Sequence, residues 1–92
     1  MACLSENQIA VIESFISEND AIEMPDIDLE HVATIRKEIQ PNTYYLVEYD
    51  NNRRIMYHMY KSSKDNNVYI MATSMRTMFT SYLDPIIGHR RI

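Results

Sequence analysis

The most constraining feature of this chain is a change in the period of its apolar residues near residue 40. Before that point apolar residues recur every three or four positions, which is the spacing of one helix face. Beyond it, two segments rich in Tyr, Val and Ile follow a period close to two, which is typical of strands. Helices and strands therefore occupy separate parts of the chain, and this order predicts an α+β fold.

The first helix is predicted over residues 5 to 18 and has a well-marked start. Ser5 and Gln8 form an S-x-x-Q capping box, in which each side chain bonds the backbone N–H of the other residue. The expected buried stripe of this helix consists of Ile9, Ile12, Phe15 and Ile16.

A second helix is predicted from about residue 28 to residue 39, after a connection over residues 19 to 28. Asp28 is a suitable N-cap, and Pro41 stops the helix because proline cannot continue the hydrogen-bond ladder. The residues expected on its buried face are Leu29, Val32, Ile35 and Ile39.

A β-hairpin is predicted from Thr43 to Asp50 and from Arg53 to Lys61, with Asn51-Asn52 as a two-residue turn. Asparagine tolerates the left-handed backbone conformation that such a turn requires, so Asp50 is expected to pair with Arg53. One face then carries Tyr45, Val47, Tyr49, Arg54, Met56 and His58. The other face carries Tyr44, Leu46, Glu48, Ile55, Tyr57 and Met59.

After a polar turn, a third strand is predicted over residues 68 to 73 and a last helix from about 74 to 84. Residues 1 to 4 read as a lead-in and residues 86 to 92 as a loose tail. We therefore expect a single two-layer α+β domain over residues 1 to 92, in the order α-α-β-β-β-α. Its three-stranded antiparallel sheet is expected to carry the helices mainly on one face, because so short a chain cannot easily cover both.

The composition excludes several classes of protein. Gly88 is the only glycine, and glycine-rich phosphate loops, dinucleotide motifs and nucleophile elbows all need several. Cys3 is the only cysteine, so no intramolecular disulfide forms and a reducing, intracellular (cytoplasmic) location is expected. Apolar runs are far too short to cross a bilayer, so no membrane association is expected.

No metal or cofactor site is predicted. His31, His58 and His89 lack the spacing of a ligand set. The acidic run that begins at Asp26 resembles the start of a calcium loop, but Lys37 stands where the bidentate glutamate belongs. Because no nucleophile, base and oxyanion donors are recognisable together, an enzyme is not expected.

Charge is divided unevenly along the chain. Residues 1 to 50 carry 11 Asp/Glu against 2 Lys/Arg, and residues 51 to 92 carry 7 Lys/Arg against 2 Asp/Glu. An acidic surface that imitates nucleic acid and inhibits a nucleic-acid-binding protein is one hypothesis. Its residues are Glu6, Glu13, Glu18, Asp20, Glu23, Asp26, Asp28 and Glu30.

The leading hypothesis concerns the sheet face left open by a two-layer fold. Tyr, Met and Arg are enriched in protein interfaces, and the predicted open face contains Tyr45, Val47, Tyr49, Arg54, Met56 and His58. This composition predicts a small regulator, adaptor or inhibitor that binds a protein partner, including a second copy in a homodimer. The alternative is a single-stranded nucleic-acid-binding module, in which bases stack on the same tyrosines. The small size is also compatible with a modulator encoded by a virus or phage.

Overall fold

Two helices and an antiparallel sheet make up the described part of the chain, residues 2–74 and 86–92 of a computed structural model. The elements are β1 (Ala2–Cys3), α1 (Glu6–Glu18), α2 (Leu29–Glu38), β2 (Thr43–Asp50), β3 (Ile55–Lys61), β4 (Val68–Ser74) and β5 (Ile86–Arg91). The strands lie side by side in the order β1-β2-β3-β4-β5, so each pairs with its neighbours in sequence. The α+β class is confirmed, but the predicted three-stranded sheet is wrong, because four full strands and the short β1 form it.

Both helices lie where their capping residues predict. The Ser5 side chain accepts a hydrogen bond from the Gln8 backbone N–H at 3.2 Å, and the Gln8 side chain accepts one from Ser5 at 2.8 Å, which completes the capping box of α1. Asp28 caps α2 by accepting bonds from two backbone N–H groups of its first turn. Neither of these helices has the length and apolarity that crossing a membrane requires.

One predicted core position of α2 is wrong. Leu29 is 62% exposed, whereas Val32, Ile35 and Ile39 are buried as expected. The reason is that Ile27, in the connection before the helix, fills the space against the sheet instead.

The two chain ends are strands, which corrects the predictions of a lead-in and a loose tail. Ala2–Cys3 pair with Tyr44 and Thr43 of β2, and residues 86 to 91 pair with β4 as β5. In both segments the pairing satisfies backbone N–H and C=O groups. Each segment is too short or too polar to be recognised as a strand from its own residues. The predicted last helix, residues 74 to 84, lies outside the described residues except for Ser74, which ends β4.

The β2–β3 hairpin is longer at its turn than predicted. Asp50 pairs with Ile55 and not with Arg53, so residues 51 to 54 form the turn, in which Arg54 adopts a φ of 59°. A β-bulge between Leu46 and Glu48 then changes the register by one residue. Successive strand residues point to opposite faces, and the bulge adds one residue to this alternation. Relative to the residues before the bulge, those after it therefore point to the opposite face from the one that strict alternation predicts.

The helices pack on opposite faces of the sheet, so the predicted two-layer arrangement is wrong. On one face, α2 and the connection before it lie in a cluster of Ile27, Val32, Ile35, Ile39, Val47, Tyr57, Met59, Val68, Ile70 and Ala72. On the other, α1 contributes Ile12 to a cluster with Tyr44, Tyr60, Tyr69 and Met71. Every strand from β2 to β4 therefore buries side chains on both faces, which the near-continuous apolar runs of β3 and β4 allow.

The connection between the helices crosses from one face to the other around β5. The Ile22 N–H donates to the carbonyl oxygen of His89 at 2.8 Å, and the Arg90 guanidinium donates to the carbonyl oxygen of Ile22 at 3.1 Å. Gly88 lies beside it, and a Cβ there would lie 2.7 Å from Cγ2 of Ile22, so the Ile22 side chain would have to shift. The sole glycine of the sequence thus permits close approach of the connection to the outer strand.

Candidate functional site

The structure does not bring together the six residues predicted to form one protein-binding face. Tyr45 and Val47 lie on the α2 side of the sheet and pack against its core cluster. His58 lies on the α1 side and is buried, with 8% of its surface exposed. Arg54 is in the hairpin turn and not on a strand. The β-bulge puts Tyr45 and Val47 on the face opposite to Tyr49, and the longer turn leaves Arg54 outside β3.

A smaller apolar surface remains on the α1 side near the hairpin turn. Tyr49 is 52% exposed and pairs directly with the half-buried Met56 of β3. Leu46 is 37% exposed and pairs with His58, two residues further along β3 on the same face. Neighbours of this kind on paired strands lie within side-chain contact range. We call Leu46, Tyr49 and Met56 the hairpin surface.

Sequence reasoning predicted two of these three residues and placed the third wrongly. Tyr49 and Met56 were expected on the open face, whereas Leu46 was expected on the core face. Leu46 reaches the same side as Tyr49 because the bulge adds a residue between them. The residues around the bulge carry no glycine or other local signal that marks it.

The hairpin surface adjoins a sheet edge with no neighbouring strand among the described residues. β1 pairs with β2 only at Thr43 and Tyr44, and the Leu4 N–H then bonds the carbonyl oxygen of Asn42. From Leu46 to Asp50 the outer side of β2 faces no other strand of the described chain. The opposite edge, at β5, is bordered by the connection around Ile22. The two edges of the sheet are therefore unequal.

A stacked pair of rings lies on the α1 side of the sheet, next to the hairpin surface. The rings of Tyr44 and His58 are nearly parallel, at 15°, with their centroids 4.3 Å apart. Burial lowers the pKa of His58 to about 4 and raises the pKa of the Tyr44 hydroxyl. Tyr44 Oη and His58 Nδ1 have no hydrogen-bond partner among the described residues. His58 is therefore neutral at pH 7 and contributes shape and apolar contact to this region.

The side chain of Glu13 joins α1 to β3 and to the turn between β3 and β4. The Glu13 carboxylate accepts hydrogen bonds from the Tyr60 hydroxyl at 2.8 Å and from the Ser62 hydroxyl at 2.5 Å. Nearby, the Tyr69 hydroxyl donates to Asp65 at 2.6 Å, and this bond holds the pKa of the Asp65 carboxyl below its ordinary value. Burial and the Glu13 carboxylate raise the pKa of Tyr60. The two bonds to Glu13 fasten α1 to the sheet, a role that sequence reasoning missed when it assigned Glu13 to an acidic surface.

The predicted acidic surface is distributed over both sides of the molecule. Glu6, Glu13 and Glu18 belong to α1, whereas Asp28 and Glu30 begin α2 on the other face of the sheet. The remaining acids of this set lie in the connection, at Asp20, Glu23 and Asp26. These eight residues therefore do not form one continuous track.

The histidines also lie apart. His31 is exposed on α2, and the ring of His89, on β5, is buried next to Phe15 of α1 and Tyr69 of β4. Its Nε2 donates to the carbonyl oxygen of Asn19 at 2.7 Å. Within residues 2–74 and 86–92, no three side chains of His, Cys, Asp or Glu are placed to hold a metal ion. The hairpin surface offers apolar contact beside a part of β2 that no strand of the described residues pairs.

Comparison of the chain with models of known protein families, with curated proteins and with solved structures finds no match in any of the three.

Proposed function

We propose that this chain is a small non-enzymatic regulator or adaptor that binds a protein partner through the hairpin surface. The observation that supports it most is the joint exposure of Leu46 and Tyr49 on one face of an edge strand. Tyrosine and methionine are enriched in protein interfaces, and truncation of a central tyrosine typically costs much of the binding free energy. Tyr49, with half of its surface exposed, is the expected anchor.

A protein partner suits this surface better than single-stranded nucleic acid. Binding of single strands relies on several aromatic rings arranged on one face for stacking. Tyr45 and Tyr49 lie on opposite faces of the sheet, and His58 is buried. The acidic residues Glu48 and Asp50 also belong to the same edge strand and would repel phosphates.

We further propose an intracellular location. A single cysteine, Cys3, leaves the chain without an intramolecular disulfide, and its stability rests on the two core clusters. Domains of this size that act outside the cell more often depend on disulfides. Retention of the reduced thiol in protein isolated from its native host is the measurement that checks this location.

The proposal is tested with a double variant, Tyr49→Ser with Met56→Ser, and a matched control, Val11→Ser. Val11 is 47% exposed on α1, so its substitution removes exposed apolar surface away from the hairpin. The tagged proteins are incubated with extract from the native host, and bound proteins are quantified by mass spectrometry. We expect partners retained by the wild type and by the Val11 variant to fall at least tenfold with the double variant.

Circular dichroism establishes that all three proteins are folded before capture is compared. Equal capture by the double variant and the control would refute the proposed surface. Loss with both variants would refute it as well, because the effect would then not depend on the position of the apolar residues.

A further inference from the structure

We infer that the partner binds by adding an extended, alternating apolar and basic segment to the open edge of β2, antiparallel to it. This inference rests on the proposed function and names how the hairpin surface is engaged. In strand addition, backbone hydrogen bonds supply affinity and alternate side chains supply specificity.

The edge of β2 already pairs with one extended segment, β1. β1 pairs with it in antiparallel orientation, but only at Thr43 and Tyr44. β2 continues to Asp50, so the positions from Leu46 onward are left with outward backbone groups that no described strand meets. An added segment would continue the line of β1 along the same edge.

Side chains on the two sides of this edge differ in chemistry. Leu46 and Tyr49 lie on the α1 side, where a bound segment would meet apolar surface. Glu48 and Asp50 lie on the α2 side, where they pair with Tyr57 and Ile55 of the α2 core cluster. Since residues of an extended segment alternate between faces, apolar residues would fit the first side and Lys or Arg the second.

The start of α2 adds to the negative charge on the second side. The Asp28 backbone N–H donates to Glu48 Oε1 at 3.1 Å, which places the helix N-terminus beside β2. Asp28 and Glu30 are exposed there. Arg53, which pairs with Asp50 at 3.8 Å, and Arg54 in the same turn offset only part of the charge of these four carboxylates. A basic segment would therefore be attracted to this edge at low salt.

The bulge between Leu46 and Glu48 argues for a selective partner. Bulges on edge strands disturb regular pairing and protect a sheet against indiscriminate association. Only a segment with complementary side chains gains enough binding free energy, in addition to that of its backbone hydrogen bonds, to bind. Charge and apolar contact together supply this complementarity, as the two sides of the edge differ.

The inference is tested with the peptide Lys-Leu-Lys-Val-Lys-Leu-Lys and two matched controls. One control replaces every lysine with glutamate, and the other carries N-methyl groups on the backbone amides of one edge. Binding to the full chain is followed by amide chemical shifts and by hydrogen exchange in nuclear magnetic resonance. We expect slowed exchange at the amides between Leu46 and Asp50 that point away from β3, and binding at least tenfold weaker for each control peptide.

Shifts that spread elsewhere, or equal binding by the N-methylated peptide, would overturn strand addition. Preference for the glutamate peptide would overturn the basic character of the segment. A dimer of the chain with protected β2 amides would also overturn it, because the occupant would then be a second copy. Native partners that depend on Tyr49 and Met56 but leave exchange at Leu46 to Asp50 unchanged would refute this inference alone. In that case the proposed function would stand.

Discussion

Lowering the pH from 7.5 to 4 is expected to destabilise the fold through His58. This side chain is 8% exposed, stacked on Tyr44, and has no described hydrogen-bond partner at Nδ1. Its burial disfavours the charged imidazolium and lowers the pKa from 6.5 to about 4. The unfolded chain, in water, takes up the proton near pH 6.5, so it binds more protons than the folded chain between these two values.

The sign and size of the effect follow from proton linkage. Stability contributed by the neutral histidine is fully present above pH 6.5 and is lost progressively as the pH falls towards 4. A difference of this size between the two pKa values corresponds to about 3 kcal/mol, at about 1.4 kcal/mol for each pKa unit. Small domains are stable by only about 5–15 kcal/mol, so the loss is a large fraction of the total.

The assay is urea unfolding followed by circular dichroism at intervals between pH 7.5 and pH 4. His58→Gln removes the titrating group, and His31→Gln, on the exposed face of α2, is the matched control. We expect the wild type and the His31 variant to lose about 3 kcal/mol more than the His58 variant over this range. Carboxylates titrate in all three proteins and cancel in the comparison. Identical pH profiles for the wild type and the His58 variant would refute the reasoning.

Three further predictions concern the packing of the α1 face and the connection. Tyr60→Phe should cost about 1–3 kcal/mol in urea unfolding, because the Glu13 carboxylate loses a hydroxyl donor. Tyr44→Phe should change the free energy of unfolding by less than about 0.5 kcal/mol, since the Tyr44 hydroxyl has no partner among the described residues. Gly88→Ala should cost about 1–3 kcal/mol, because the added methyl group overpacks against Ile22. Adding Ile22→Ala should recover part of that loss. Strict additivity of the two substitutions in a double-mutant cycle would contradict the contact. Ile12→Ala should cost about 2–5 kcal/mol in thermal or urea unfolding, and a negligible loss would contradict the packing of α1 on the sheet.

Local elements of the fold were predictable from the sequence because their causes are local. The capping box at Ser5 and Gln8 and the N-cap at Asp28 specify where the helices begin, since orphan backbone N–H groups need a nearby acceptor. Periods of 3.6 and 2 in the apolar residues distinguish helix from strand within a few turns. The bounds of β2, Thr43 to Asp50, were predicted without error.

The candidate site was predictable only in part, since its membership depends on register. Tyr49 and Met56 were recognised by composition, but Leu46 was assigned to the wrong face and Val47 to the surface. A single bulged residue moves every later side chain of the strand to the other face. Packing on both sides of the sheet supplies the free energy that stabilises the bulge. Local propensity carries no record of that packing.

Capping residues and apolar periodicity, both read along the chain, therefore determined the two helices and the hairpin strands, and the single cysteine excluded an intramolecular disulfide. Tertiary structure alone decided that the helices cover opposite faces, that residues 86 to 91 pair with β4, and that Leu46 joins Tyr49 at an edge of β2 that no described strand pairs. The physical reason is the range of the interactions. Caps and periodicity act within about one helical turn or strand, whereas strand pairing and burial depend on residues that are distant in sequence.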